Sequence, residues 1–223
     1  MNNKSNKALI LLSGGLDSTV VLSICKKEKK ELHAVSFDYG QRHKQELNFA
    51  KWQAKFFKCK THKIFKIELF GGSSLTDNLK VPENTSVENI PKKIPNTYVP
   101  SRNIIFLSIA SGYAEVLGIE NIYIGVNSID YSGYPDCREK FIRSFEKLIN
   151  FSTKKGIEGK NYKILTPLLK LTKREIVLIG KKNGVDFSKT SSCYNPKNGK
   201  ICGVCDSCLL RKKGFEEALI KDI

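Results

Sequence analysis

A doubly wound, mainly parallel α/β sheet is the fold class this sequence predicts, and three observations predict it. Five short runs rich in apolar and β-branched residues recur along the chain, helical spacing fills the stretches between them, and the first run ends in a glycine-rich turn that opens a helix. Several of the runs are almost wholly apolar, as strands must be when helices cover both faces of a parallel sheet. Such a sheet takes its ligand in the crevice at the carboxyl ends of its strands.

The runs 7–12 (KALILL), 32–39 (LHAVSFDY), 62–69 (HKIFKIEL), 121–127 (NIYIGVN) and 162–168 (YKILTPL) read as the strands. Helices are predicted over 17–29, 43–58, 102–118, 137–152 and 173–184. Thr172 and Glu175 have capping-box spacing at the start of the last helix, and Gly118 and Gly184 stand where C-terminal caps belong. Residues 70–100 carry four prolines and little periodicity; so long a loop in a compact domain predicts a lid or substrate-facing segment. Residues 151–163 read as a plain polar connection.

The 223 residues, 40% of them hydrophobic, suffice for one sizeable core. The expected organisation is an α/β domain over 1–187, including the 70–100 loop, with a cysteine-rich helical segment at 188–223 packed on it. The apolar stretch Ala8–Leu12 is shorter than the roughly 7 to 15 residues a signal-peptide core needs, and no run approaches the roughly 20 apolar residues of a membrane span. A cytoplasmic protein without a membrane partner is therefore expected, its seven cysteines reduced, metal-bound or catalytic. The formal charge of +16 invites a nucleic-acid reading, but the lysines are spread along the chain among many Asn and Ile, which fits a codon bias as well as a binding face. No direct nucleic-acid partner is expected.

The turn within LLSGGLDSTVVL (11–22) follows a strand and opens a helix. Glycines admit close approach, the first N–H groups of the helix lack intrahelical partners, and the dipole adds positive potential, so the turn suits a phosphate. The plainer reading is a strand-to-helix turn capped by Ser or Asp. It carries neither the P-loop lysine motif nor a dinucleotide G-x-G-x-x-G. Cys193, Cys202, Cys205 and Cys208 form a C-x8-C-x2-C-x2-C set, whose four sulfurs with no open position describe structural zinc; an iron–sulfur cluster is the competing reading. Cys25 and Cys59 sit in helical patterns as small hydrophobes, while Cys137 is either inert or reactive beside a ligand.

Ser13-Gly14-Gly15-Leu16-Asp17-Ser18 matches, residue for residue, the SGGxDS signature of the PP-loop ATP pyrophosphatases. Further motifs accompany it: FDYGQRH (37–43), VPSRN (99–103), GVNSIDYSGYPDCR (125–138), TPLLKLTKREI (166–176) and TSSCY with CGVCDSCLLRKKGF (190–215). Together they resemble the 7-cyano-7-deazaguanine synthase family of the queuosine pathway over nearly the whole chain. One departure is Ser101, where the family more often has glycine.

The resemblance implies an ATP-dependent carbon–nitrogen ligase that converts 7-carboxy-7-deazaguanine and ammonia into the nitrile through adenylylated carboxylate and amide. It assigns Leu12, Ser13, Gly14, Gly15, Leu16, Asp17, Ser18, Thr19 and Val20 to ATP, with Mg2+ beside Asp17, and one zinc to the four cysteines. Arg42 and Arg102 are candidates to pair with phosphate or carboxylate, Asp130 and Asp136 to accept from the base, and Tyr131 or Tyr134 to stack on it. Tyr39, Gln41 and Arg138 complete the expected substrate set, and Asp17, Arg102 and His43 the catalytic one. His43 reads as a base, an ammonia-orienting group or merely a residue at a helix start. With Met1-Asn2-Asn3 leading straight into a strand, no N-terminal cysteine nucleophile precedes it, so free ammonium is the expected nitrogen donor; the family resemblance suggests a homodimer. The rivals are a PP-loop enzyme modifying tRNA and a non-catalytic zinc-ribbon protein binding nucleic acid. The second leaves SGGLDS and YSGYPDC without a purpose.

Overall fold

The computed structural model describes residues 6–42, 45–68, 71–91, 93–127, 133–197 and 199–222. Strands β1 (Lys7–Leu11), β2 (Glu31–Asp38) and β3 (Thr61–Lys66) alternate with helices α1 (Leu16–Lys27) and α2 (Gln45–Phe56). Then follow α3 (Arg102–Leu117), β4 (Asn121–Tyr123), α4 (Glu139–Ser152), the single turn α5 (Lys154–Ile157), β5 (Lys163–Leu165), α6 (Lys173–Lys182) and α7 (Asp206–Glu217). These five strands pair in parallel throughout, in the order β3-β2-β1-β4-β5. Every strand and helix predicted from periodicity is present.

Alternation along β1 explains the layers. Ala8 and Ile10 join one buried cluster with Val20 and Val21 of α1, Ala50 and Ala54 of α2, Ile176 and Val177 of α6 and Phe215 of α7. Leu9 and Leu11 point the other way, into a cluster with Leu107 and Ala110 of α3 and Ile142 and Phe145 of α4. Helices thus cover both faces, which is why β1, at the centre of the sheet, is apolar from Ala8 to Leu11. The chain winds outward from β1 through β2 to β3, then crosses back to place β4 on the other side of β1, so the switch in winding falls between β1 and β4.

The differences from expectation lie at element ends. β4 and β5 are shorter than their apolar runs: after one further bond from Ile124 N to Leu165 O (3.1 Å), the chain leaves the ladder and Gly125 passes against α1. A Cβ at Gly125 would lie 3.0 Å from the Ser18 amide nitrogen. The 151–163 connection contains the short α5, capped by Thr153, whose hydroxyl accepts from Gly156 N. Thr172 and Glu175 form the reciprocal capping box of α6. Among the described residues no helix is long and apolar enough to cross a membrane.

The described residues of segment 70–100 are tied down at several points. Ser74 N donates to Asn96 O (2.9 Å), Arg42 N to Leu75 O (3.1 Å) and Asn84 N to Val204 O (2.9 Å), and Val81 is buried against three of the four clustered cysteines. Ser101, just before α3, adopts a left-handed conformation (φ 56°, ψ 16°) without a side-chain capping bond. A left-handed L-residue costs about 1–2 kcal/mol and glycine's extra chain entropy about 0.5–1 kcal/mol, so Ser101→Gly should gain up to about 1 kcal/mol. For a chain of this size that is a rise of roughly 2–4 °C in Tm, measurable by thermal melting; a fall in Tm would contradict the strain assigned to Ser101.

Candidate functional site

The loop between β1 and α1 is shaped by its own hydroxyls. Gly14 takes φ +88°, and Gly15 precedes the first helical turn. Ser13 Oγ accepts from Gly15 N (3.2 Å) and lies 3.0 Å from Ser18 Oγ, while the Ser18 and Thr19 hydroxyls donate to Gly15 O at 3.1 and 2.9 Å. These bonds fold the turn back on itself, so its outward face is made of helix-start N–H groups. Gly14 is required on steric grounds too: a Cβ there would lie 2.0 Å from the Glu46 carbonyl oxygen in α2. From the other side Ser191 N donates to Gly14 O (3.2 Å), which joins the TSSCY segment to the loop.

Beside this loop, at the carboxyl ends of β1, β2 and β4, lies a cavity of about 310 Å3. Of the nine residues at 12–20, Leu12, Ser13, Gly15, Leu16, Asp17 and Ser18 line it; Gly14, Thr19 and Val20 stand behind the wall. Tyr39, Gln41, Arg42, Arg102 and Tyr134 line it as well. Both ends of the Gln41 amide are engaged, accepting from Tyr39 N (2.8 Å) and donating to Phe37 O (3.2 Å), so this residue shapes the bend that presents Tyr39. Arg42 Nη1 donates to Leu79 O (3.1 Å), linking the cavity rim to the 70–100 segment.

Arg102 opens α3 amid Tyr39, Tyr134, Cys137 and Asp136; burial works against its charge, and these neighbours more than offset that. Phe37 and Phe106 stack with centroids 4.0 Å apart, and Tyr39 leans on Phe106 at 5.4 Å, which gives one side of the cavity an aromatic wall. Tyr134 OH lies 2.8 Å from Thr97 Oγ1 and 3.4 Å from Tyr194 OH, and burial raises its pKa. Asp136 is buried outside the cavity wall and accepts from Asn103 N (3.1 Å), a brace for the start of α3. Arg138 is exposed at the start of α4, away from the cavity lining. Burial, then Asp136, push the Cys137 thiol up to about 12, which keeps it protonated and inert. His43, Asp130 and Tyr131 lie outside the described residues.

Two wall residues escaped the motif reading. Lys173 Nζ donates to both carboxylate oxygens of Asp17 at 2.9 Å, across 156 positions of sequence. Gly214 of α7 backs the lysine stem so closely that a Cβ would meet Lys173 Cγ at 2.4 Å. The second is Glu46, in the first turn of α2, whose carboxyl burial pushes up to about 8, with Arg102 pulling against the shift.

The four cysteines converge. Their sulfurs all lie within 4.8 Å of one another, Cys202 and Cys208 at 4.0 Å, close to the separation of about 4 Å that tetrahedral coordination with 2.3 Å metal–sulfur bonds demands. Cys202 N points to Cys193 Sγ (3.2 Å) and Tyr194 N to Cys205 Sγ (3.4 Å), the outer-shell donors a thiolate needs. Hydrogen bonds from Cys205 and Cys208 hold the Cys193 thiol well below its usual range. The set fits a metal ion. Because Cys193 and Tyr194 also line the cavity, the cluster fixes part of its wall.

A glycine turn at the switch point of a parallel sheet, facing a cavity that runs from helix-start amides to an aromatic wall, defines a doubly wound α/β protein with its ligand crevice at the carboxyl ends of the strands. The fold aligns with the structure of NMN synthetase from Francisella tularensis at TM-score 0.50 and 14% identity, covering 98% of this chain and 89% of that one. Sequence comparison narrows the class. The family profile described as "Queuosine biosynthesis protein QueC" matches residues 7–219, and the chain belongs to that family. Among its relatives, a 7-cyano-7-deazaguanine synthase of Leptospira interrogans is 55% identical, covering 99% of this chain and 91% of that protein. One from Acetivibrio thermocellus is 54% identical over 97% of this chain and 96% of its own length.

Proposed function

We propose that this protein is an ATP-dependent carbon–nitrogen ligase that converts 7-carboxy-7-deazaguanine and free ammonia into 7-cyano-7-deazaguanine. The observation that carries the reading is the continuity of one cavity from the Ser13–Ser18 turn to Arg102, Tyr134 and the Phe37–Phe106 wall, in a chain of this family.

A carboxylate is a poor electrophile until one of its oxygens becomes part of a leaving group. In this reading the outward N–H groups at Leu16 to Ser18 hold the β,γ-pyrophosphate of ATP, where the helix dipole favours the charge that grows as pyrophosphate departs. The substrate carboxylate attacks the α-phosphate, and Arg102 steadies the charge between them. Ammonia displaces AMP to give the amide. A second ATP at the same site activates the amide oxygen, whose departure leaves the nitrile. Tyr39, Tyr134 and the aromatic wall hold the planar base, and Gln41 and Asp136 keep those groups in place rather than touching substrate. Mg2+ would be held beside Asp17, which Lys173 orients, and would share the triphosphate charge.

The cysteine cluster holds zinc in this account. A cubane cluster would spread its sulfurs wider than 4.8 Å, and a closed four-thiolate set is structural. Residues 188–223 then act as a metal-tied segment on the 1–187 unit, in a cytoplasmic enzyme that forms homodimers. Incubating the protein with 7-carboxy-7-deazaguanine, ammonium, Mg2+ and ATP should yield AMP, pyrophosphate and the nitrile, read by mass spectrometry; no substrate-dependent AMP would contradict the assignment.

A further inference from the structure

We propose that Glu46 is the proton acceptor for the nitrogen of the reacting group, a catalytic role that rests on the activity proposed above. Its position is set by contact between elements: the α2 backbone at Glu46 packs on Gly14, while its side chain faces the cavity between the glycine turn and Arg102. That is where a carboxyl group held by Arg102 would meet the α-phosphate of a nucleotide held by the turn. Two carboxylates line this cavity among the described residues. Asp17 is committed to Lys173 through two 2.9 Å contacts. Glu46 receives no hydrogen bond from any described residue; among the described residues, Arg102 of α3 and Tyr39 after β2 are the charged or titratable groups that bear on it.

The chemistry requires a base at this place. When the amide oxygen attacks the α-phosphorus and pyrophosphate leaves, the O-adenylyl imidate is protonated on nitrogen. The Glu46 carboxylate takes one N–H proton and passes it to solvent. It takes the second as the C–O bond breaks, AMP leaves with that bond's electron pair, and the electrons of the N–H bond become the third C–N bond. The same carboxylate strips the surplus proton from the ammonia adduct in the earlier amidation. A carboxyl raised to about 8 by burial, and held from rising further by Arg102, matches the requirement that a general base titrate near the working pH.

The test starts from the amide and ATP without ammonium, so that ionisation of ammonia does not enter. For the wild-type enzyme, nitrile formation should rise with pH and level off above about 8. In Glu46→Gln it should fall by about 100-fold or more and lose that pH dependence, while carboxylate-dependent exchange of labelled pyrophosphate into ATP, which needs no base, persists. Nitrile formed by the variant at the wild-type rate would overturn the proposal. So would an exchange activity lost in step with nitrile formation, since Glu46 would then only hold the site together. A wild-type enzyme that made no nitrile at all would instead overturn the activity.

Discussion

Gly14→Ala should slow adenylylation by on the order of 100-fold and destabilise the fold by about 2–5 kcal/mol, the sum of a left-handed L-residue and an overpacked contact. The added Cβ would lie 2.0 Å from Glu46 O and 2.8 Å from Ala50 N, both backbone atoms of α2, so no side chain can swing aside to admit it. Either the glycine turn or the start of α2 must move. A displacement of that kind at a phosphate seat costs on the order of 100-fold in rate, and here it would shift Glu46 as well. Gly40→Ala is the control: Gly40 also has positive φ (+77°), but no atom lies within 4 Å of its Cβ position. Thermal melts and pyrophosphate exchange on the two variants separate steric from torsional cost. Equal losses at the two positions would contradict the packing argument.

Cys205→Ser should strip the metal and lower Tm by on the order of 10 °C or more, because a structural four-thiolate site contributes directly to folding. Cys205 is fully buried at the start of α7, and its sulfur takes the N–H of Tyr194, the residue that reaches the cavity and Tyr134. Loss of the ligand therefore acts at two distances, loosening α7 locally and the cavity wall beyond it. Metal analysis should give about one zinc per wild-type chain and almost none in the variant. A chelator should bring the wild-type melting curve to that of the variant. Cys59→Ser, in a residue remote from the cluster, should keep the metal. A variant that lost the metal yet melted like the wild type would contradict the structural role.

Much of this was legible in the sequence because the signals were local. Strand and helix periodicities, the Thr172–Glu175 box and the four-cysteine spacing each occupy a few turns of chain, and all appear in the structure. The ends of β4 and β5 were less legible, since apolarity persists beyond Tyr123 and Leu165 for burial rather than for pairing. Long-range partners were invisible. Nothing in LTKREI announces that Lys173 reaches Asp17, and Glu46 reads as a first-turn acid favoured by the helix dipole until the contact of α2 with Gly14 turns it to the cavity. Asp136 and Arg138 show the converse: both belong to the YSGYPDCR motif, yet one braces Asn103 and the other is exposed.

In the proposed reaction one site adenylylates, in turn, both oxygens borne by the same carbon. Substrate carrying heavy oxygen at both carboxylate positions tests it most directly, with the products resolved by mass spectrometry. Two molecules of AMP should form per nitrile, each bearing one heavy oxygen, because both oxygens leave bonded to the α-phosphorus. Label appearing instead in pyrophosphate, inorganic phosphate or water, or ADP in place of AMP, would contradict it.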